Sequence, residues 1–204
     1  MKANRPTVTG FACLLMACLA TLSSCGHAPG EQARQGKSMT TDSSIEVTAA
    51  ELDVYRDGLV ALHNNDDHSA EAIFERFVTT RPELAGAYTN LALIRFRSGD
   101  YDESLRLVNQ AIEKNPEQAQ AYNLRAQLHI AQRDTDAAEA NYIRAIELDP
   151  GYVNAHYNLA LLYVIYLQDI ERAVGHYETY LSLVQQPDND TSDWVTHLRT
   201  TLES

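Results

Sequence analysis

From Thr48 onward, apolar residues return at intervals of three and four. Leu52, Tyr55, Leu59 and Leu62 lie on one stripe of a first helix. The polar run Asn64-Asn65-Asp66-Asp67 breaks it, and Ala70, Phe74 and Phe77 form the apolar edge of a second. Pro82 closes that helix, because a residue before proline is pushed out of the helical region. The next pair reads more cleanly. Tyr88, Leu91 and Ala92 mark one helix and Ser98-Gly99-Asp100 a turn. Leu105, Val108, Ala111 and Ile112 are the expected buried stripe of the next helix, with Asp100 and Glu103 spaced for a capping box at its start.

The pattern recurs. Pro82, Pro116 and Pro150 stand 34 residues apart, and Tyr88, Tyr122 and His156 follow them at one offset. Ala70, Ser104 and Ala138, and likewise Phe74, Val108 and Tyr142, precede them at two others. Self-similarity at a fixed period of this size predicts a solenoid of stacked helix pairs. The fourth unit keeps Leu159, Ala160 and Tyr163, but Ala173 and Tyr177 fall 35 rather than 34 residues after their counterparts, so one extra residue lies within 164–170. After Pro187, Trp194, Leu198 and Leu202 recur every four residues and predict one amphipathic helix over the last apolar face.

Residues 85–118, AGAYTNLALIRFRSGDYDESLRLVNQAIEKNPEQ, resemble a tetratricopeptide repeat. The likeness rests on Tyr88, the Leu91-Ala92 pair, the Gly99-Asp100-Tyr101 turn, Ala111 and the closing Pro116. Residues 119–152 repeat it with Tyr122, Ala126, Ala138, Tyr142, Ala145 and Pro150, departing at Arg125, where the family prefers Leu. Either that helix is slightly rotated or Arg125 snorkels. Residues 51–84 match through Gly58, Ala70, Phe74 and Pro82, and residues 153–186 form the unit with the insertion. The resemblance implies an all-α, right-handed superhelical solenoid of about four helix-turn-helix repeats, with residues 189–204 as a capping helix. It also implies a concave groove lined by the first helix of each repeat, which on this chain gives Tyr55, Leu59, His63, Thr89, Asn90, Leu93, Arg97, Asn123, Gln127, Tyr157, Asn158 and Leu161. That mixture of amide, aromatic and aliphatic groups suits an extended peptide or a partner helix. A clamp for a C-terminal carboxylate wants several cations in the groove, and only Arg97 stands there.

Composition and charge narrow the chemistry. Formal charge is −12, and with Lys2 and Arg5 set apart, residues 26–204 carry 14 basic and 28 acidic groups. A surface so acidic repels phosphate backbones, so no nucleic-acid partner is expected. The seven histidines are scattered without an HExxH or i,i+4 pair, no Ser sits on a Gly-rich elbow, and no metal, cofactor or enzyme activity is expected. Gly30 to Ser38 reads G-x5-G-K-S, one residue longer than a phosphate-binding loop and without the flanking strand and helix that motif needs.

The N-terminus has its own logic. Lys2 and Arg5 form a basic start, and Phe11 to Leu22 an apolar stretch of 12 residues, too short to span a bilayer. Leu22-Ser23-Ser24-Cys25 resembles a bacterial lipoprotein box. The resemblance implies that residues 1–24 are removed, and that Cys25 becomes the first residue and is lipidated on sulfur and amino group. The membrane would then be held through the lipid anchor alone. Gly26 in place of Asp resembles outer-membrane sorting, facing the periplasm. Residues 25–47 read as a flexible tether whose ends lie roughly 25–30 Å apart. Box and repeats together resemble the pilotin-type lipoproteins that assist type IV pilus secretin assembly. An accessory of a TonB-type system, or a regulator of an envelope enzyme, is the alternative that these features also fit.

Overall fold

The computed structural model describes residues 47–203. The stretch expected to be a signal segment, Cys25 and the G-x5-G-K-S run lie outside the described residues. Among the described residues there are nine α-helices and no strand. They are α1 (Ala49–His63), α2 (Asp67–Thr80), α3 (Ala85–Arg97), α4 (Tyr101–Lys114), α5 (Ala119–Ala131), α6 (Thr135–Leu148), α7 (Val153–Leu162), α8 (Ile170–Leu183) and α9 (Asn189–Leu202). α7 runs on into one π-helical turn, Tyr163–Leu167. The helices pack as pairs, α1 with α2 through α7 with α8; each second helix then meets the first helix of the next pair, and α9 closes on α8. The fold is an all-α solenoid.

Local chemistry sets each boundary. Arg81, Asn115 and Asp149 precede prolines and leave the helical region, with φ of −134, −141 and −140°. Asp66, Asp100, Asp134 and Asp169 each cap a second helix by accepting the N–H three residues on, at 3.1, 3.3, 3.1 and 3.0 Å. The residue before each Asp is left-handed: Asn65 (φ 58°), Gly99 (82°), Arg133 (63°) and Gln168 (54°). In the first three turns the Asp N–H reaches back five residues, to the carbonyls of Ala61, Arg95 and His129, each at 2.9 Å. In the fourth, Asp169 N–H reaches back six, to Tyr163 at 3.0 Å. The π-helical turn thus takes up the additional residue, and the turn chemistry on either side is unchanged.

Small residues let paired helices approach. Ala70, Ala92, Ser104, Ala126, Ala138, Ala160 and Ala173 have no exposed surface, and the rings of Phe74, Tyr142 and Tyr177 fill the space opposite. A Cβ on Gly58 would lie 2.9 Å from both Ile73 and Phe74. Four details differ from the expected pattern. On α1 the buried edge is Gly58 and Leu62, while Leu52 and Leu59 are exposed, because the ring of Phe74 enters at Gly58. On α4, Ser104 and Leu107 join Val108 and Ala111 in the core, and Leu105 and Ile112 are half-buried. The Asp100 cap is one-sided, since Glu103 pairs with Arg106; the reciprocal box is instead at α1, between Thr48 and Glu51. On α9, Thr191, Val195 and Leu198 are buried while Leu202 faces solvent.

Candidate functional site

The first helices α1, α3, α5 and α7 form one wall, stitched by a side-chain hydrogen bond at each seam. Asn90 Nδ2 on α3 donates to the Tyr55 hydroxyl on α1 at 2.9 Å. Thr89 Oγ1 donates to Gln118 Oε1, at the start of α5, at 3.0 Å. Asn158 Nδ2 on α7 donates to Asn123 Oδ1 on α5 at 3.1 Å. Close approach at the first seam depends on Gly86, where a Cβ would lie 2.5 Å from the Tyr55 hydroxyl. The Tyr55 ring meets Phe74 and Phe77 edge-on at 5.4 and 5.2 Å, and burial pushes its phenol up to about 12.

These bonds sort the twelve residues expected to line a groove. Thr89 and Asn123 are buried, at 7% and 6% exposure, and serve the seams rather than the surface. Tyr55 is half-buried with its hydroxyl in the seam. Tyr157 leans on Tyr177 and Tyr180 of α8, with ring centroids 5.6 and 5.0 Å away. Arg97 is tied to Asp67 at 2.7 Å and to the Leu62 carbonyl at 3.3 Å, so its charge is engaged within the protein. Leu59 and His63 are exposed, and Asn90, Leu93, Gln127, Asn158 and Leu161 half-buried. Leu59, Leu93, Gln127 and Leu161 occupy one repeat position at 34-residue steps. They make an aliphatic row with one amide along the wall. No charged residue occurs in α7, and the exposed charges of the first helices are Asp53, Arg56 and Asp57 on α1 and Arg97 on α3.

Arg125 snorkels without rotating its helix. Its guanidinium donates to Asn141 Oδ1 of α6 at 2.7 Å and Asn109 Oδ1 of α4 at 3.2 Å, above the Tyr122 ring. Burial draws its pKa below the ordinary arginine value. Between α2, α3 and α4, a cleft of about 450 Å³ has a Tyr88, Leu91 and Leu107 floor, and its rim charges are paired, Arg95 with Glu71 and Glu75 and Arg106 with Glu103. Among the described residues no three His, Cys, Asp or Glu side chains stand together in a way that would hold a metal ion. No described helix is long and apolar enough to cross a membrane.

Sequence spacing concealed a second cluster. His156 and His176, twenty residues apart in the chain, meet with Nδ1 atoms 3.1 Å apart. Beside them Tyr163 donates to Glu139 Oε1 at 2.8 Å, and Arg172 binds the same carboxylate at 2.7 Å while lying over the Tyr163 ring.

Paired helices stacked at a fixed interval, with one wall of first helices, define a helical-repeat protein. A tetratricopeptide repeat model matches residues 89–140 and 123–190, together half of the chain, and the protein belongs to that family. No curated protein sequence matches it. Solved structures show the same fold at low identity. A thermophilic tetratricopeptide protein of Thermus thermophilus aligns with TM-score 0.61 at 19% identity, over 74% of this chain and 81% of that one. MamA from Desulfovibrio magneticus RS-1 aligns with TM-score 0.53 at 20% identity, over 65% of this chain and 75% of that one. The first tetratricopeptide domain of Spaghetti (RPAP3), bound to the HSP90 peptide SRMEEVD, aligns with TM-score 0.54 at 21% identity, over 59% and 97%.

Proposed function

We propose that this protein is a lipid-anchored adaptor of the bacterial envelope, which holds a protein partner as an extended peptide or helix along the wall of first helices. The observation that carries the reading is the wall itself. The Asn90, Asn123 and Asn158 amides are held in the seams, and the aliphatic row of Leu59, Leu93 and Leu161 stays accessible beside the Gln127 amide. Proteins of this family mediate protein–protein contacts, and one structural neighbour holds a peptide. Arg97 is already neutralised by Asp67, so an acidic carboxylate terminus has no partner there, and a ligand with an apolar stripe fits better. Leu22-Ser23-Ser24-Cys25 supports the anchor, and Gly26 supports the outer membrane, facing the periplasm. Box and repeats together favour a role beside type IV pilus secretin assembly. Two measurements test this. Cys25→Ala is expected to move the protein from the membrane to the soluble fraction, and continued membrane attachment would refute the anchor. Crosslinking with mass spectrometry in intact envelopes is expected to recover a secretin or another pilus component, and recovery of only abundant bystanders counts against that role.

A further inference from the structure

The His156–His176 contact has a single proton arrangement. His156 Nε2 lies 3.2 Å from the Pro150 carbonyl oxygen, which can only accept, so that nitrogen carries the hydrogen. In a neutral imidazole Nδ1 is then bare, and it accepts from His176 Nδ1–H across the 3.1 Å gap. The ring centroids are 5.3 Å apart, the separation of two rings meeting nitrogen to nitrogen. His156 is 6% exposed, so this bond joins α7 to α8 inside the core. One added proton fits on His176 Nε2 and leaves both bonds intact. A second, on His156 Nδ1, sets donor against donor and charge against charge at the same distance.

The carboxylates near that charge already have other partners. From α6, Glu139 faces the cluster but is held by Tyr163 and Arg172. Ahead of α8, Asp169 is held by Arg172, and in the turn before α7, Asp149 accepts from Gly151 N–H. Arg172, on α8, adds a like charge. Burial, then His156, then Arg172 hold the His176 imidazole below its ordinary range. The unfolded chain therefore takes up the proton first as pH falls. The stability this depression represents is present above about pH 6.5 and lost below it. The connection between the two helices is the π-helical turn with left-handed Gln168, the least regular of the four turns.

We propose that the His156–His176 bond is an acid-sensitive latch, whose double protonation frees α8 and α9 from α7 while the first three helix pairs stay folded. Two elements that are locked near neutrality and loosened in acid make the fourth pair a pH-responsive end of the solenoid. The latch stands on this geometry and does not depend on what the wall of first helices binds.

The preceding unit supplies the control. Tyr122 and Asn141 stand where His156 and His176 stand, 34 and 35 residues earlier. Amide hydrogen exchange of the protein is expected to be at least about tenfold faster in α8 at pH 5 than at pH 7.5, after correction for intrinsic rates, with α1 to α4 unchanged. The double variant His156→Tyr with His176→Asn is expected to keep α8 protection at both values. Equal acceleration in both proteins, or none in the unsubstituted one, would overturn the latch. Imidazole nitrogen NMR of the unsubstituted protein tests it without any variant. His156 is expected protonated at Nε2 and bare at Nδ1 near neutrality, and a proton on His156 Nδ1 at pH 7.5 would overturn it as surely.

Discussion

Gly58 and Gly175 show how one substitution takes opposite signs at two residues. The Cβ of an alanine at 58 would press on Ile73 and Phe74 at 2.9 Å inside the first helix pair, whereas at 175 nothing lies within 4 Å. Gly58→Ala is therefore expected to cost about 1–3 kcal/mol as overpacking. Gly175→Ala is expected to contribute roughly 0.5–1 kcal/mol by stiffening an exposed helical position. Urea denaturation of the two variants checks both, and a shared sign would contradict the packing. At this scale the sequence was legible where a residue type has one use. Prolines marked stops, and alanines at fixed offsets marked close approach. Arg133 and Gln168 were not legible as left-handed, because neither residue type favours that conformation, and only their place before a capping Asp could have betrayed them. The histidine pair was hidden for a related reason. Its members sit in different helices, and the additional residue of the fourth unit shifts one of them out of register.

Among the elements, the first helices do more than line a surface. Each is sewn to the next by side chains, through Tyr55 with Asn90, Thr89 with Gln118 and Asn123 with Asn158. Spacing placed all these residues but Gln118 on a groove; it did not show that they would spend their donors on one another, which depends on rotamers and on the approach that Gly86 permits. A double-mutant cycle of Tyr55→Phe and Asn90→Ala is expected to give a coupling of about 1 kcal/mol, the net worth of a part-buried hydrogen bond. A coupling near zero would mean that the seam holds by packing alone. Helix ends were the better predicted part of each element and helix faces the poorer. Caps and prolines act locally, while the burial of Leu52, Leu59 or Leu202 depends on what stands opposite, and among the described residues these three stay exposed.

For the whole molecule, an acidic protein of net charge −12 presents one wall on which α7 carries no charged residue. The repeated pairs read directly from a 34-residue period, and half the chain matches the tetratricopeptide repeat model. The partner proposed for the wall was not legible, because it would be chosen by the few half-buried side chains left over once the seams are satisfied. The most direct measurement is photocrosslinking in intact cells from a probe placed at Gln127 or Leu161 on the wall, and at exposed Arg144 on the opposite side. Gln127 and Leu161 are expected to capture the same envelope protein, with Arg144 capturing none of it. Capture of that protein from Arg144 alone, or equally from all three positions, would contradict binding along the first helices.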